Sequence, residues 1–214
     1  MIRLLSYMYP ITRKVKSEYS GHLEITWHNG KKYLNTKNAN YSYGSLQAIL
    51  KFGLKKIDLK NVCSVLLLGL GGGSVIETLR DDFKYTKSIT AVDIDPVIIN
   101  LAKKEFNHQL DQNLSIICSD AIDYIKQNSE LFDLIIIDLF IDIEVPDQFL
   151  HLSFWKNIMA SKSTNGAIIF NASLQKTKSD GLKDVISFLK SHMYTADVYE
   201  KVNDTNTIII AKNL

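Results

Sequence analysis

From residue 64 onward the hydrophobic positions fall into short runs, separated by stretches with helical spacing. The runs at 65–68, 88–92, 114–118 and 133–137 are predominantly apolar, interrupted only by Ser88, Thr90, Ser115 and Asp133, as parallel strands covered on both faces must be. Between them Val75, Ile76 and Leu79 carry a helix to about residue 83, and Ile99, Ala102 and Phe106 carry a second. Asp95-Pro96 opens that second helix, an N-cap residue followed by proline at the first helical position. A short third helix holds Ile122, Tyr124 and Ile125. After a loop over 141–146 the pattern predicts an aromatic-rich helix carrying Phe149, Phe154 and Trp155, then a strand over 167–170. A further helix over 183–191 turns Val185, Ile186, Phe188 and Leu189 inward. The tail alternates over 197–202 and 207–211 around Asn203-Asp204-Thr205-Asn206, which predicts a closing antiparallel hairpin.

Ahead of this lies a different pattern. Leu23, Ile25 and Trp27 alternate with Glu24, Thr26 and His28, then Asn29-Gly30 leads into 31–34. That pair between two strand patterns predicts a hairpin with a type I′ turn. The reading is therefore a hairpin extension over 1–40 and an α/β domain over 41–214. A lone ribbon is marginally stable, so it must pack on the main domain or on another subunit. Its expected role is a lid or an oligomer contact, which would make a homodimer through the hairpin. Tyr41 and Tyr43 precede the first helix of the domain, either as packing or as one wall of a pocket.

Composition narrows the classes. A chain of 214 residues, 46% hydrophobic, makes one large domain with a small appendage, and a net charge of +2 gives no bulk attraction to nucleic acid or a membrane surface. No run reaches the roughly 18 apolar residues that a membrane helix needs, and the amino terminus lacks a secretory cleavage pattern. The expectation is a soluble cytoplasmic protein. Cys63 and Cys118 sit at strand-like runs and are expected as buried free thiols. Neither they nor the scattered histidines have metal-ligand spacing, so no metal is expected.

The chemistry gathers where the strands end. Val65-Leu66-Leu67-Leu68 runs into Gly69-Leu70-Gly71-Gly72-Gly73-Ser74, a glycine turn between a strand and a helix. Glycines let a ligand approach bare backbone, and the helix start offers unpaired N–H groups. Ligands in such sheets bind outside the carboxyl ends of the strands. Three further strands end there in an acid: Asp93, Asp120 and Asp138. Asp93 lies 24 residues beyond Gly69, the distance at which an acid on the second strand reaches ribose hydroxyls. Asp120 suits an adenine amine but equally a helix cap. Asp138 faces the volume left for a reacting group. Ser74 breaks the dinucleotide spacing, and the glycines fit G-x-G-x-G at 69, 71 and 73 instead.

With the terminal hairpin, this resembles the class I S-adenosylmethionine-dependent methyltransferase fold, which implies a Rossmann-like, seven-stranded, mostly parallel sheet with its last strand antiparallel. From about residue 41 to 147 the motifs are similar to those of the spermidine synthase family: the glycine loop, Val92-Asp93-Ile94-Asp95-Pro96, Ser119-Asp120-Ala121 and Phe132-Asp133-Leu134-Ile135-Ile136-Ile137-Asp138. The resemblance implies an adenosyl donor held by Gly69, Gly71, Gly72 and Gly73, by Asp93 and Ile94 at the ribose side, and by Asp120 and Ala121 at the adenine. It places Asp138 at the catalytic acid's position and Tyr43 at the acceptor side. Three departures stand out. Gly72 occupies the place of the family's amine-recognising acid, Ile141 that of its second acid with Asp142 one further on, and Tyr43-Gly44-Ser45 replaces a Tyr-His-Glu pattern.

These departures remove anionic partners for a polycation. Methyl transfer from S-adenosylmethionine to a small-molecule acceptor is accordingly the first reading from sequence, with Asp138, Tyr43 and Asp142 as candidate catalytic residues. Aminopropyl transfer from the decarboxylated donor to a polyamine is the alternative. A non-catalytic nucleoside binder or assembly protein and a nicotinamide enzyme remain as further readings.

Overall fold

The computed structural model describes residues 1–36, 40–42 (backbone only), 44–106, 112–140, 144–172, 180–193 and 195–213. Its main element is a sheet of seven strands among the described residues. β5 (Ser64–Leu68), β6 (Ser88–Asp93), β7 (Leu114–Cys118), β8 (Phe132–Ile137) and β9 (Lys162–Asn171) are parallel, and β10 (Thr195–Val202) and β11 (Asn206–Lys212) form the closing hairpin. The order is β10-β11-β9-β8-β5-β6-β7, with β11 inserted antiparallel between β9 and β10. This is the α/β architecture expected from the sequence.

Period-two alternation explains the two apolar layers. Leu66, Leu68, Ile135, Ile137, Ile168 and Phe170 pack one way, against α5 (Ala121–Gln127), α6 (Leu152–Ala160) and α7 (Asp180–His192). Val65, Leu67, Leu134, Ile136 and Ile169 pack the other way, against α2 (Gly44–Leu54), α3 (Ser74–Glu77) and α4 (Pro96–Glu105). The central strands are fully covered, so their backbone is rigid up to its carboxyl ends. Phe149 lies in a separate 3-10 turn ahead of α6 rather than within that helix. Its carbonyl accepts the indole N–H of Trp155 at 2.9 Å, which anchors an aromatic bank of Phe149, Phe154, Trp155 and Phe170.

The amino-terminal hairpin is the centre of a larger element: β1 (Ile11–Lys16), β2 (His22–His28), β3 (Lys31–Asn35) and β4 (Asn40–Ser42) form an antiparallel sheet. Asn29 and Gly30 both have positive φ, as a type I′ turn requires. A four-residue helix, α1 (Ile2–Leu5), precedes the sheet, and Ser6 ties it to the turn by accepting the Asn29 and Gly30 amides.

The sheet docks on its own chain. Leu23, Ile25 and Leu34 bury against Ile98 and Leu101 of α4, each worth roughly 1.5–3 kcal/mol of transfer free energy. Asp95, 1% exposed, adds a polar clasp. Oδ1 caps α4 at Val97 and Ile98, while Oδ2 accepts the hydroxyls of Ser17 and Ser20 from the β1–β2 connection. Lys32 and Arg13 bracket Glu105, and they hold its carboxyl below the ordinary range.

Both cysteines depart from expectation: Cys63 and Cys118 are exposed. Cys63 precedes β5 rather than lying within it, and Cys118 ends β7, the edge strand that only one neighbour covers. No helix among the described residues is long and apolar enough to cross a membrane.

Candidate active site

The site is built where adjacent strands end at one level. Leu68 stands in register with Val92 and Ile137, and Ile137 with Phe170. One residue further, Asn171, Asp138, Gly69 and Asp93 form a row across the carboxyl edge. Backbone bonds carry the ladder into that row: the Gly69 N–H donates to Val92 at 2.9 Å, and the Asp138 N–H to Leu68 at 2.8 Å. At the usual strand spacing Asp93 and Asp138 stand about 10 Å apart, one on each side of Gly69.

Gly69 is required there for two reasons. Its φ is +95°, and a Cβ would lie 2.1 Å from the carbonyl oxygen of Asp138. Gly71 and Gly73 also adopt left-handed backbone, with Gly73 as the N-cap of α3, and Gly72 completes the loop between them. The tight return aims two amides at β6. Leu70 and Gly71 donate to Asp93 Oδ2 at 3.1 and 3.2 Å, and Asp95 donates to Oδ1 at 2.9 Å. Burial pushes the Asp93 carboxyl up to about 6, against the pull of the Asp95, Gly71 and Leu70 amides. A carboxylate offers about four lone-pair sites; three are taken, which leaves room for one further donor.

Asp138 is held differently. Its Oδ1 accepts the Asn171 amide Nδ2 at 2.9 Å, and Asn171 Oδ1 accepts the Asn206 Nδ2 at 2.8 Å. Burial raises the Asp138 carboxyl to about 7, and the single bond from Asn171 offsets only part of that. A group balanced between its two protonation states near neutral pH is suited to proton transfer.

The remaining sequence candidates fall around this row. Asp120 is the N-cap of α5, its Oδ1 accepting the Ile122 and Asp123 amides at 2.7 and 3.3 Å. Ala121 is buried as the first residue of that helix. Ile94 directly follows Asp93 and is 39% exposed, an aliphatic side chain left at the edge of the site. Tyr43 and Asp142 lie outside the described residues, as does Ile141. Among the described residues no cluster of His, Cys, Asp and Glu is arranged to hold a metal.

Sequence reasoning missed Asn171 and Asn206. The signal was present for the first: Asn171 ends the apolar run Ile168-Ile169-Phe170 as Asp93 and Asp138 end theirs. Asn206 reads only as a turn residue, and its role depends on β11 lying next to β9.

Comparison with known proteins finds both aminopropyltransferases and methyltransferases among the relatives. The model of the spermine/spermidine synthase domain matches residues 47–203. A polyamine aminopropyltransferase of Sulfolobus acidocaldarius is 30% identical over 143 residues, which is 63% of this chain and 47% of that protein. This chain thus spans less than half the length of that relative. Spermidine synthase from Thermotoga maritima superposes with a TM-score of 0.65 at 16% identity, covering 94% of this chain and 72% of that one. Human methyltransferase-like protein 13, solved in complex with SAH, gives 0.66 at 24% identity over 80% of this chain and 83% of that one. At these identities the two structures establish the fold.

Proposed function

The chain belongs to the spermine/spermidine synthase domain family, and on that footing we propose that it transfers an alkyl group from an adenosyl sulfonium donor to an amine, with aminopropyl transfer as the first reading. The family match and the aminopropyltransferase relative support that order over the methyl transfer that the sequence alone favours. The observation that carries the proposal is Asp138: a half-buried carboxyl, raised to about 7, on the same strand-end row as the glycine loop and Asp93.

The residues present fit an adenosyl group. Gly69 keeps the floor of the row bare, Asp93 retains an acceptor site for a ribose hydroxyl, and exposed Ile94 offers an apolar surface to a base. Two hydroxyls on Asp93 would require one loop amide to let go. Asp120 spends one oxygen on its helix, so the other oxygen would have to meet an adenine amine. A bound sulfonium supplies a carbon already activated for displacement. What is left for the protein is to aim the amine along the line of attack and to receive its proton. Asp138 takes that proton as the nitrogen–carbon bond forms and the carbon–sulfur pair leaves with sulfur, so charge is conserved. The ionised carboxylate also favours a cationic neighbour before the transfer.

Methyl transfer stands as a second reading on one observation. With Gly72 where the family carries an acid, the loop side chains present no carboxylate to the ammonium of a decarboxylated donor. Incubating the chain with each donor and a set of mono- and diamines, then identifying products by mass, decides between them. The expected products are an aminopropylated amine and methylthioadenosine, from the decarboxylated donor only. A methylated amine from S-adenosylmethionine would establish the second reading. Absence of any product, with nucleoside still bound, would make the protein a non-catalytic binder.

A further inference from the structure

Asn171 is fully buried at the end of β9, with 0% exposure, yet its side chain is polar at both ends. A buried amide must satisfy its donor and its acceptor separately. An ionised Asp138 only accepts, so Asn171 has to turn Nδ2 toward it, and its Oδ1 then needs a donor from the opposite side. Asn206 supplies that donor from the first position of β11, at 2.8 Å. The backbone leaves little slack in this chain of groups. Asn171 pairs with Ile208, and the Ala172 N–H donates to Thr207 at 2.8 Å. The turn before Asn206 is set by left-handed backbone at Asn203 and Asp204 and by the Thr205 N–H donating to Val202.

We infer that Asn206 and Asn171 form a positioning relay for Asp138, in which the closing hairpin orients Asn171 and Asn171 holds one Asp138 oxygen, leaving the other for the acceptor's proton. The inference rests on the transferase reading for its purpose but not for its geometry. Neither asparagine touches the reacting atoms; both act through Asp138. The other titratable group of the row, Asp93, turns its oxygens to the Leu70, Gly71 and Asp95 amides. Asp120 faces its own helix from beyond β6, and Glu144 lies beyond residues 141–143 in the connection that follows β8.

The test measures Asp138 itself, so it does not depend on finding the right acceptor. Carbon-13 NMR of the aspartate carboxyls, with Asp138→Asn identifying the signal, gives its titration in the ligand-free chain. Asn171→Leu keeps the volume and removes the donor; losing one bond to a charged group should move the midpoint upward by about one pH unit or more. Asn206→Ala, at a half-exposed position, should move it upward by about half a unit, since Asn171 stays but loses its fixed orientation. Where transfer is measurable, both variants should lower kcat several-fold with the donor KM unchanged, and Asn171→Gln should recover part of the loss. An unmoved Asp138 midpoint in folded Asn206→Ala overturns the relay, whether or not Asn171→Leu folds. A moved midpoint without transfer to any amine supports the relay and counts against the transferase reading instead.

Discussion

Asp138→Asn is expected to slow transfer by about 10²- to 10⁴-fold, the usual contribution of a positioned general base. Nucleoside affinity should change little, because the substitution is isosteric and an asparagine oxygen can still accept the Asn171 amide. In the wild type, activity should rise with pH through about 7, where the Asp138 carboxyl loses its proton. The same shift has a stability consequence of definite sign. A carboxyl raised in the folded state contributes stability that is fully present below its unfolded value, near 4, and lost as pH rises through the folded value. Asp138→Asn should therefore melt higher than the wild type at pH 8 and lose that advantage at pH 4. A variant that transfers at the wild-type rate would remove Asp138 from the chemistry.

Asp93→Ala should abolish nucleoside binding and, unlike Asp138→Asn, should also weaken the fold. Its carboxylate accepts three backbone amides, two from the glycine loop and one from the entrance of α4. Removing it leaves those donors in a half-buried setting, at a cost of about 2 to 3 kcal/mol. For a chain of this size that corresponds to a melting temperature roughly 4 to 12 °C lower. Asp93→Asn retains an oxygen and should recover part of the stability but little of the affinity. A variant that binds the nucleoside normally would mean that Asp93 serves the loop alone.

How far the sequence could be read follows from which interactions are local. The apolar runs, the Asp95-Pro96 helix start and the Asn29-Gly30 turn are each fixed by neighbours in the chain, and the structure places all of them as expected. The row of Gly69, Asp93 and Asp138 was legible for a similar reason: a polar residue at the end of a buried parallel strand has one edge to occupy. What local pattern does not carry is contact between distant segments. From sequence, Asp93 reads only as a ligand acid; its bonds to Leu70 and Gly71 appear when the loop folds back. Asp95 reads as a helix cap, and its hold on Ser17 and Ser20 requires the amino-terminal sheet to lie against α4. That docking onto the chain's own helix is the first of the two placements expected for the hairpin, packing on the main domain. Asn171 and Asn206 meet only because β11 inserts next to β9. The cysteines failed for the converse reason: apolar neighbours in sequence bury neither Cys63, which lies just ahead of its strand, nor Cys118, which ends an edge strand.

The most direct test of the account is a calorimetric titration of the wild-type chain with methylthioadenosine, which carries the adenosine and the sulfur but neither the ammonium nor the carboxylate that separates the two donors. The account predicts saturable binding at one site per chain that is lost in Asp93→Ala, with no comparable heat from NAD. Binding of NAD in place of methylthioadenosine would contradict it, and would return the glycine loop to a dinucleotide site.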